Sequence, residues 1–197
     1  MRTLLAGLFV VLFSTTALAE LVDNSAYQSW AACKPGSSVT YKTTVKMEME
    51  GMEGMTPTTT VEQKLVSITP EHAEVSFSTT MTMAGQTRSM PGATIKIPAK
   101  IEKETLAAGD VSQLTEKPKI TDMKESKEAL EVKGKKVETT KYEFTMEVTQ
   151  QGQTIVAKVK NWVSKDVPGG MVKMEKNMDK PVKMTNITEL ADYNIIK

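Results

Sequence analysis

The chain predicts a mainly β fold: a curved antiparallel meander sheet, half-barrel or barrel-like, with a short N-terminal helix. Period-two alternation carries the prediction. Val39, Tyr41, Val45, Met47 and Met49 interleave with Lys42, Lys46 and Glu48. Val75, Phe77, Met81 and Met83 interleave with Glu74, Ser76, Thr80 and Thr82, and Tyr142, Phe144, Met146 and Val148 with Lys141, Glu143 and Glu147. Such alternation puts one chemistry on each face of a strand, giving a sheet with one wet face and one apolar face. The second observation is that these stretches are joined by short turn signals, so consecutive strands are antiparallel neighbours. The third is the lack of any βαβ unit or fixed-period repeat. A β-sandwich is the competing architecture.

Residues 1–19 read as a secretory signal peptide. Arg2 supplies the positive charge, residues 4–13 are an apolar run, and Ala17-Leu18-Ala19 is a small-x-small cleavage site. The run is too short for a membrane span, which needs about 20 residues. Glu20 follows the cleavage site where a bacterial lipoprotein would carry cysteine. The expected mature product is a single β-rich domain, 20–197, in a periplasm or outside the cell.

Asp23, Asn24 and Ser25 are N-cap residues. Tyr27, Trp30 and Ala31 then form one helical stripe, stopped by Lys34-Pro35-Gly36. This short helix should pack on or plug the sheet. Strands are expected at 39–49, 58–69 and 73–83. The second alternates imperfectly, since Val61 and Leu65 share one parity and Val66 and Ile68 the other, which points to a bulge or burial on both faces. Pro91-Gly92 and Pro98 bracket a short strand around Ile95 and Ile97. The signal weakens over 99–127. Residues 101–108 could make a helical turn or two, while Pro118 argues against a long helix. Lys133-Gly134-Lys135 reads as a tight hairpin after 129–132. Further strands are expected at 136–149, 154–163, 171–177 and 182–190, with Gln151-Gly152-Gln153 as one turn. Pro168-Gly169 fits a type II turn.

Composition excludes several classes of function. Apart from Arg2, the basic residues balance the 24 acidic ones, so there is no basic field for nucleic acid. Cys33 is the only cysteine and His72 the only histidine. An intramolecular disulfide cannot form, and Cys33 reads as a small buried hydrophobe. There is no nucleophile elbow, phosphate loop, calcium loop or clustered zinc ligand set. No enzymatic activity, cofactor or metal centre is expected.

What stands out is methionine: 14 residues, against 2 Trp, 4 Tyr and 4 Phe. Its flexible thioether adapts to varied apolar shapes, whereas a rigid core favours Leu, Ile, Val and Phe. The expected apolar ligand cavity is therefore lined by Val45, Met47, Met49, Phe77, Met81, Met83, Tyr142, Phe144, Met146 and Val159. The same residues would serve equally as ordinary core. A rival reading is a periplasmic copper module, because Met47, Met49, Met52 and Met55 fall close together and soft thioethers suit Cu(I). Arg88, the one arginine after processing, is a solvated loop residue or a contact for an anionic head group.

From Gly134-Lys135-Lys136-Val137 through Trp162-Val163-Ser164 to Val167-Pro168-Gly169-Gly170-Met171-Val172-Lys173, the chain resembles the bacterial outer-membrane lipoprotein-sorting family. The resemblance implies a half-barrel with a helix-covered apolar cavity, and carriage or sensing of lipid-modified proteins or other apolar ligands. It transfers no functional residue by position. The partners expected are an apolar small molecule or lipid (an acyl chain or a lipoprotein) and a transient protein partner at a membrane. Neither nucleic acid nor a transmembrane segment is expected. The remaining alternative is a structural or interaction domain with no ligand.

Overall fold

The alternating stretches become neighbouring strands in the computed structural model, which describes residues 21–48, 56–102, 118–150, 153–179 and 183–197. The elements are β1 (Leu21–Asp23), α1 (Ser25–Ala31), β2 (Ser38–Glu48), β3 (Thr58–Ile68), β4 (His72–Met83), β5 (Gln86–Pro98), β6 (Lys100–Glu102), β7 (Lys119–Val132), β8 (Lys135–Gln150), β9 (Gln153–Val163), β10 (Met171–Met178) and β11 (Lys183–Asn194). Nine of the strands form one antiparallel sheet in the order β5-β4-β3-β2-β11-β10-β9-β8-β7. The last long strand pairs with the first, so two meandering arms meet at the β2–β11 seam. The outer strands β5 and β7 do not pair with each other, so the sheet is open and is not a closed barrel. A two-stranded sheet of β1 and β6 is separate.

Helix α1 starts at the expected cap. Asn24 Oδ1 accepts from the Ala26 N–H at 3.0 Å, and its Nδ2 donates to Pro98 O at 2.9 Å. That second bond ties the helix start to the end of β5. Trp30 is wholly buried and the Tyr27 hydroxyl donates to Thr69 O at 2.7 Å. Ala31, the third residue of the expected stripe, is exposed; Ser29 and Cys33 share the buried side with Trp30 instead. The helix packs on β3, β4 and β5 at one end of the sheet. Cys33 donates from Sγ to Ser29 O at 3.4 Å, and burial pushes its thiol pKa up.

The expected bulge in β3 lies between Leu65 and Ser67. The hairpin at Lys133-Gly134 has positive φ at both residues, 50° and 73°, as a type I′ turn requires. Two differences from the sequence reading have one cause. β5 runs through Pro91-Gly92 rather than beginning after them, and β7 starts at Lys119, within a stretch that showed no pattern. Both are edge strands and mostly exposed on both faces, so no alternation marks them. Proline is tolerated there because an edge strand leaves some N–H groups unpaired. The register shift opposite Phe77–Thr79 absorbs it. At that shift a Cβ on Gly92 would stand 2.5 Å from Phe77 O, so only glycine fits. The helical turn considered at 101–108 lies mostly outside the described residues; its first two residues close β6.

Two apolar clusters form. One gathers Trp30, Val39, Tyr41, Leu65, Val75, Val167 and Leu190 under α1, and continues to Trp162 and Val137. The other consists of Phe144, Met146, Val148, Ala157, Val159 and Met178, with Ile120, Tyr142, Ile155, Met174 and Met184 packed against it. Gly169 joins the turn after β9 to the first cluster. Its φ is +74°, and an added Cβ would lie 3.3 Å from Trp30 Nε1 and 3.4 Å from the Tyr41 hydroxyl.

Candidate functional site

Directly opposed residues of an antiparallel pair share a face, so the register assembles the inner face row by row. The row farthest from α1 runs Ile120, Met146, Ala157, Met178, Met184, Met47 across six strands. The next runs Phe144, Val159, Lys176, Asn186, Val45. A third runs Tyr142, Asn161, Met174, Thr188, Thr43, Thr59, Met81, Arg88. Rows nearer α1 hold Leu190, Tyr41 and Val61, then Val39, Gln63 and Phe77. Helix α1 therefore plugs one end of a face whose other end is rich in methionine.

The residues expected to line a cavity fall on this face but in different surroundings. Phe144, Met146 and Val159 are buried in the second cluster, and Tyr142 packs against it half-buried. Val45 and Met47 are half-buried on β2, in the two outermost rows. Phe77 packs instead against the first cluster, beneath the helix. Met81 and Met83 stand exposed near the tip of the β4–β5 hairpin, with four strands between them and β9. Met49 lies outside the described residues, as do Met52 and Met55 of the proposed copper cluster. The sequence reading missed Met178 and Met184, which complete the outermost row between Met146 and Met47.

It also missed the polar groups on this face. Thr43 and Thr188 exchange a hydroxyl hydrogen bond of 2.9 Å across the seam. Asn161 and Asn186 each bury a side-chain oxygen that has no hydrogen-bond partner among the described residues. Lys176 lies directly between Val159 and Asn186, and burial lowers its pKa from the ordinary lysine value. Parity along Met174-x-Lys176-x-Met178 and Met184-x-Asn186-x-Thr188 carried this placement.

The opposite face is a charged ladder. Lys141 and Lys173 flank the Trp162 ring, with ammonium groups 5.2 and 5.4 Å from its centroid. The indole N–H donates to Glu128 Oε2 at 3.0 Å. Lys141 bonds Glu143, while Lys173 meets Glu175 at 3.0 Å and Glu189 at 3.4 Å. Those carboxylates raise the pKa of both lysines. His72 hydrogen-bonds Thr69 through Nδ1 and faces Glu74 through Nε2. Among the described residues no three His, Cys, Asp or Glu side chains gather as metal ligands, and no helix is long and apolar enough to cross a membrane.

No protein-family model and no curated protein matches the chain. Solved structures do. A Bacteroides fragilis protein described as exported, with a YmcC-like fold, is 11% identical at a TM-score of 0.51, over 90% of this chain and 100% of its own. A Parabacteroides distasonis protein described as a lipoprotein is 15% identical at a TM-score of 0.49, over 82% and 96%. Lipoprotein LppX of Mycobacterium tuberculosis is 12% identical at 0.39, over 85% and 91%. The chain is thus similar in fold to the exported YmcC-like protein.

Proposed function

We propose that this protein is exported and holds an apolar chain, of a lipid or an acyl group, against the methionine-rich end of its inner face, with no covalent chemistry. The observation that carries this reading is the outermost row. Met146, Met178, Met184 and Met47 lie in line across the sheet, at the end that α1 leaves free. Thioether side chains adapt to a flexible chain, and each methylene removed from water contributes about 0.8 kcal/mol. A single acyl chain is then held without strong polar contacts. The signal-peptide pattern in residues 1–19 fits delivery to a periplasm or beyond.

The test is native mass spectrometry of residues 20–197 purified from an exported fraction, followed by organic extraction. A co-purifying apolar mass, lost in Val159→Asp and Met184→Asp proteins that remain folded by circular dichroism, supports the reading. A wild-type protein that is empty and also ignores added acyl chains refutes it.

A second reading rests on the same row. Met178 opposes Met184, which in turn opposes Met47, placing three thioethers on adjacent strands, a donor set suited to Cu(I). Anaerobic Cu(I) titration against a competing chelator tests it. Uptake that Met184→Leu abolishes supports copper, and no uptake removes it.

A further inference from the structure

We propose that Lys176 receives the anionic head group, a carboxylate or a phosphate, of a single-chain amphiphile whose tail lies along the methionine row. The proposal rests on the apolar-chain reading and names its ligand class. The first observation is that Lys176 is the charged side chain in a row otherwise made of Phe144, Val159, Asn186 and Val45. It forms no ion pair or hydrogen bond among the described residues, and its strand neighbours on the same face are Met174 and Met178. On the opposite face Lys141 and Lys173 each hold carboxylates. The two lysines that flank Trp162 are thus neutralised, whereas Lys176, half-buried on the apolar face, has no counter-ion among the described residues.

The second observation is independent of charge. Asn161, 8% exposed, and Asn186 make no side-chain hydrogen bond among the described residues, so each Nδ2 has a donor to offer an anion, while each buried Oδ1, an acceptor, can take only a donor such as the ammonium itself. Asn186 stands directly opposite Lys176, and Asn161 lies diagonally across the β9–β10 pair. Buried polar atoms are rarely left unpaired. Here two such atoms belong to residues that neighbour the half-buried Lys176 in the register. A half-buried ammonium without a partner is costly, and an anion placed against it offsets that cost through a charge-assisted hydrogen bond. The arrangement is polar at one point and apolar along the next row, which matches an amphiphile rather than a hydrocarbon or a free anion. Arg88 belongs to the inner face as well, but it sits on the exposed edge strand β5, opposite Met81.

The experiment displaces Nile red from residues 20–197 with laurate, dodecyl phosphate, methyl laurate and inorganic phosphate. Laurate or dodecyl phosphate should displace the dye about tenfold more effectively than methyl laurate, the difference one charge-assisted bond supplies. Which of the two wins identifies the head group. In Lys176→Met that preference should vanish while methyl laurate still binds, and Lys176→Arg should keep it. Equal displacement by laurate and methyl laurate in the wild type overturns the head-group assignment alone. Displacement by inorganic phosphate as effective as by dodecyl phosphate also overturns it. If none of the dodecyl compounds displaces the dye or binds by calorimetry, the apolar-chain reading itself fails.

Discussion

Replacing Trp30 by alanine tests whether α1 is a structural plug or a detachable lid. The side chain is fully buried against Val39, Tyr41, Leu65 and Val75, and the helix also bonds to Thr69 and Pro98. Truncating a tryptophan so placed costs about 3–5 kcal/mol. For a domain of this size each kcal/mol moves the midpoint by about 2–4 °C, so a fall of about 6–20 °C is expected. Trp30→Phe refines the argument. The indole Nε1 is buried without a hydrogen-bond partner, so phenylalanine loses ring volume but also removes a desolvated N–H worth about 1–3 kcal/mol. Its loss should therefore be much the smaller of the two. Urea unfolding followed by far-ultraviolet circular dichroism measures both. If Trp30→Ala unfolds within about 1 kcal/mol of the wild type, α1 is not part of the core and the plug assignment is wrong.

Three further outcomes follow from local geometry. Gly169→Ala should lower stability by about 1–2 kcal/mol, because its φ of +74° is unfavourable for L-residues and a new methyl would crowd Trp30 and Tyr41; a urea midpoint equal to wild type contradicts this. The Glu74 carboxyl is held below its ordinary value of 4.5, first by the Ser67 hydroxyl at 2.9 Å and then by Lys96 and His72. Its contribution is therefore present above that value and lost as pH falls through the lower folded-state value, and Ser67→Ala should raise the titration midpoint seen by NMR. Cys33 should resist alkylation at pH 8 in the native protein and react only on unfolding, since burial raises its pKa; rapid native labelling would contradict its placement in the core.

The long strands were legible because each has one dry face. Alternation located β2, β4, β8 and β9 to within about two residues, a normal margin for strand ends. The parity break at Leu65–Val66 was legible as a bulge because a one-residue insertion reverses which side chains face inward. The turn at Lys133-Gly134 was visible in its residues. β7 was not legible, since its residues from Thr121 to Ala129 are exposed on both faces and carry no period. β1 and β6 are three residues each and pair across a long separation, which no local pattern encodes. The inner-face polar groups were hidden for a different reason. Lys176, Asn161 and Asn186 each sit at an apolar parity on their own strand, where one polar residue reads as noise. Only the register, which stacks Asn186 on Lys176 and places Asn161 beside them, turns three exceptions into one feature.

The two ends of the inner face differ in what their side chains can do. Beneath α1 the buried residues are Trp30, Val39, Leu65, Val75 and Val167, stiff shapes that fix one packing. Glycine at 169 lets the β9–β10 turn close onto that cluster. The far end is built from Met146, Met178 and Met184 around small Ala157. Unbranched thioethers have three rotatable bonds and specify shape poorly, which is a disadvantage in a core that must be unique. A sheet rigid at one end tolerates that softness at the other, because the seam of β2 and β11 runs the length of both. The lone ammonium of Lys176 lies one row in from the soft end, where a chain lying along the methionines would bring its head group. The rigid end, the Lys176 ammonium and the soft end thus follow one another along one face, the arrangement on which the proposed binding of an amphiphile rests.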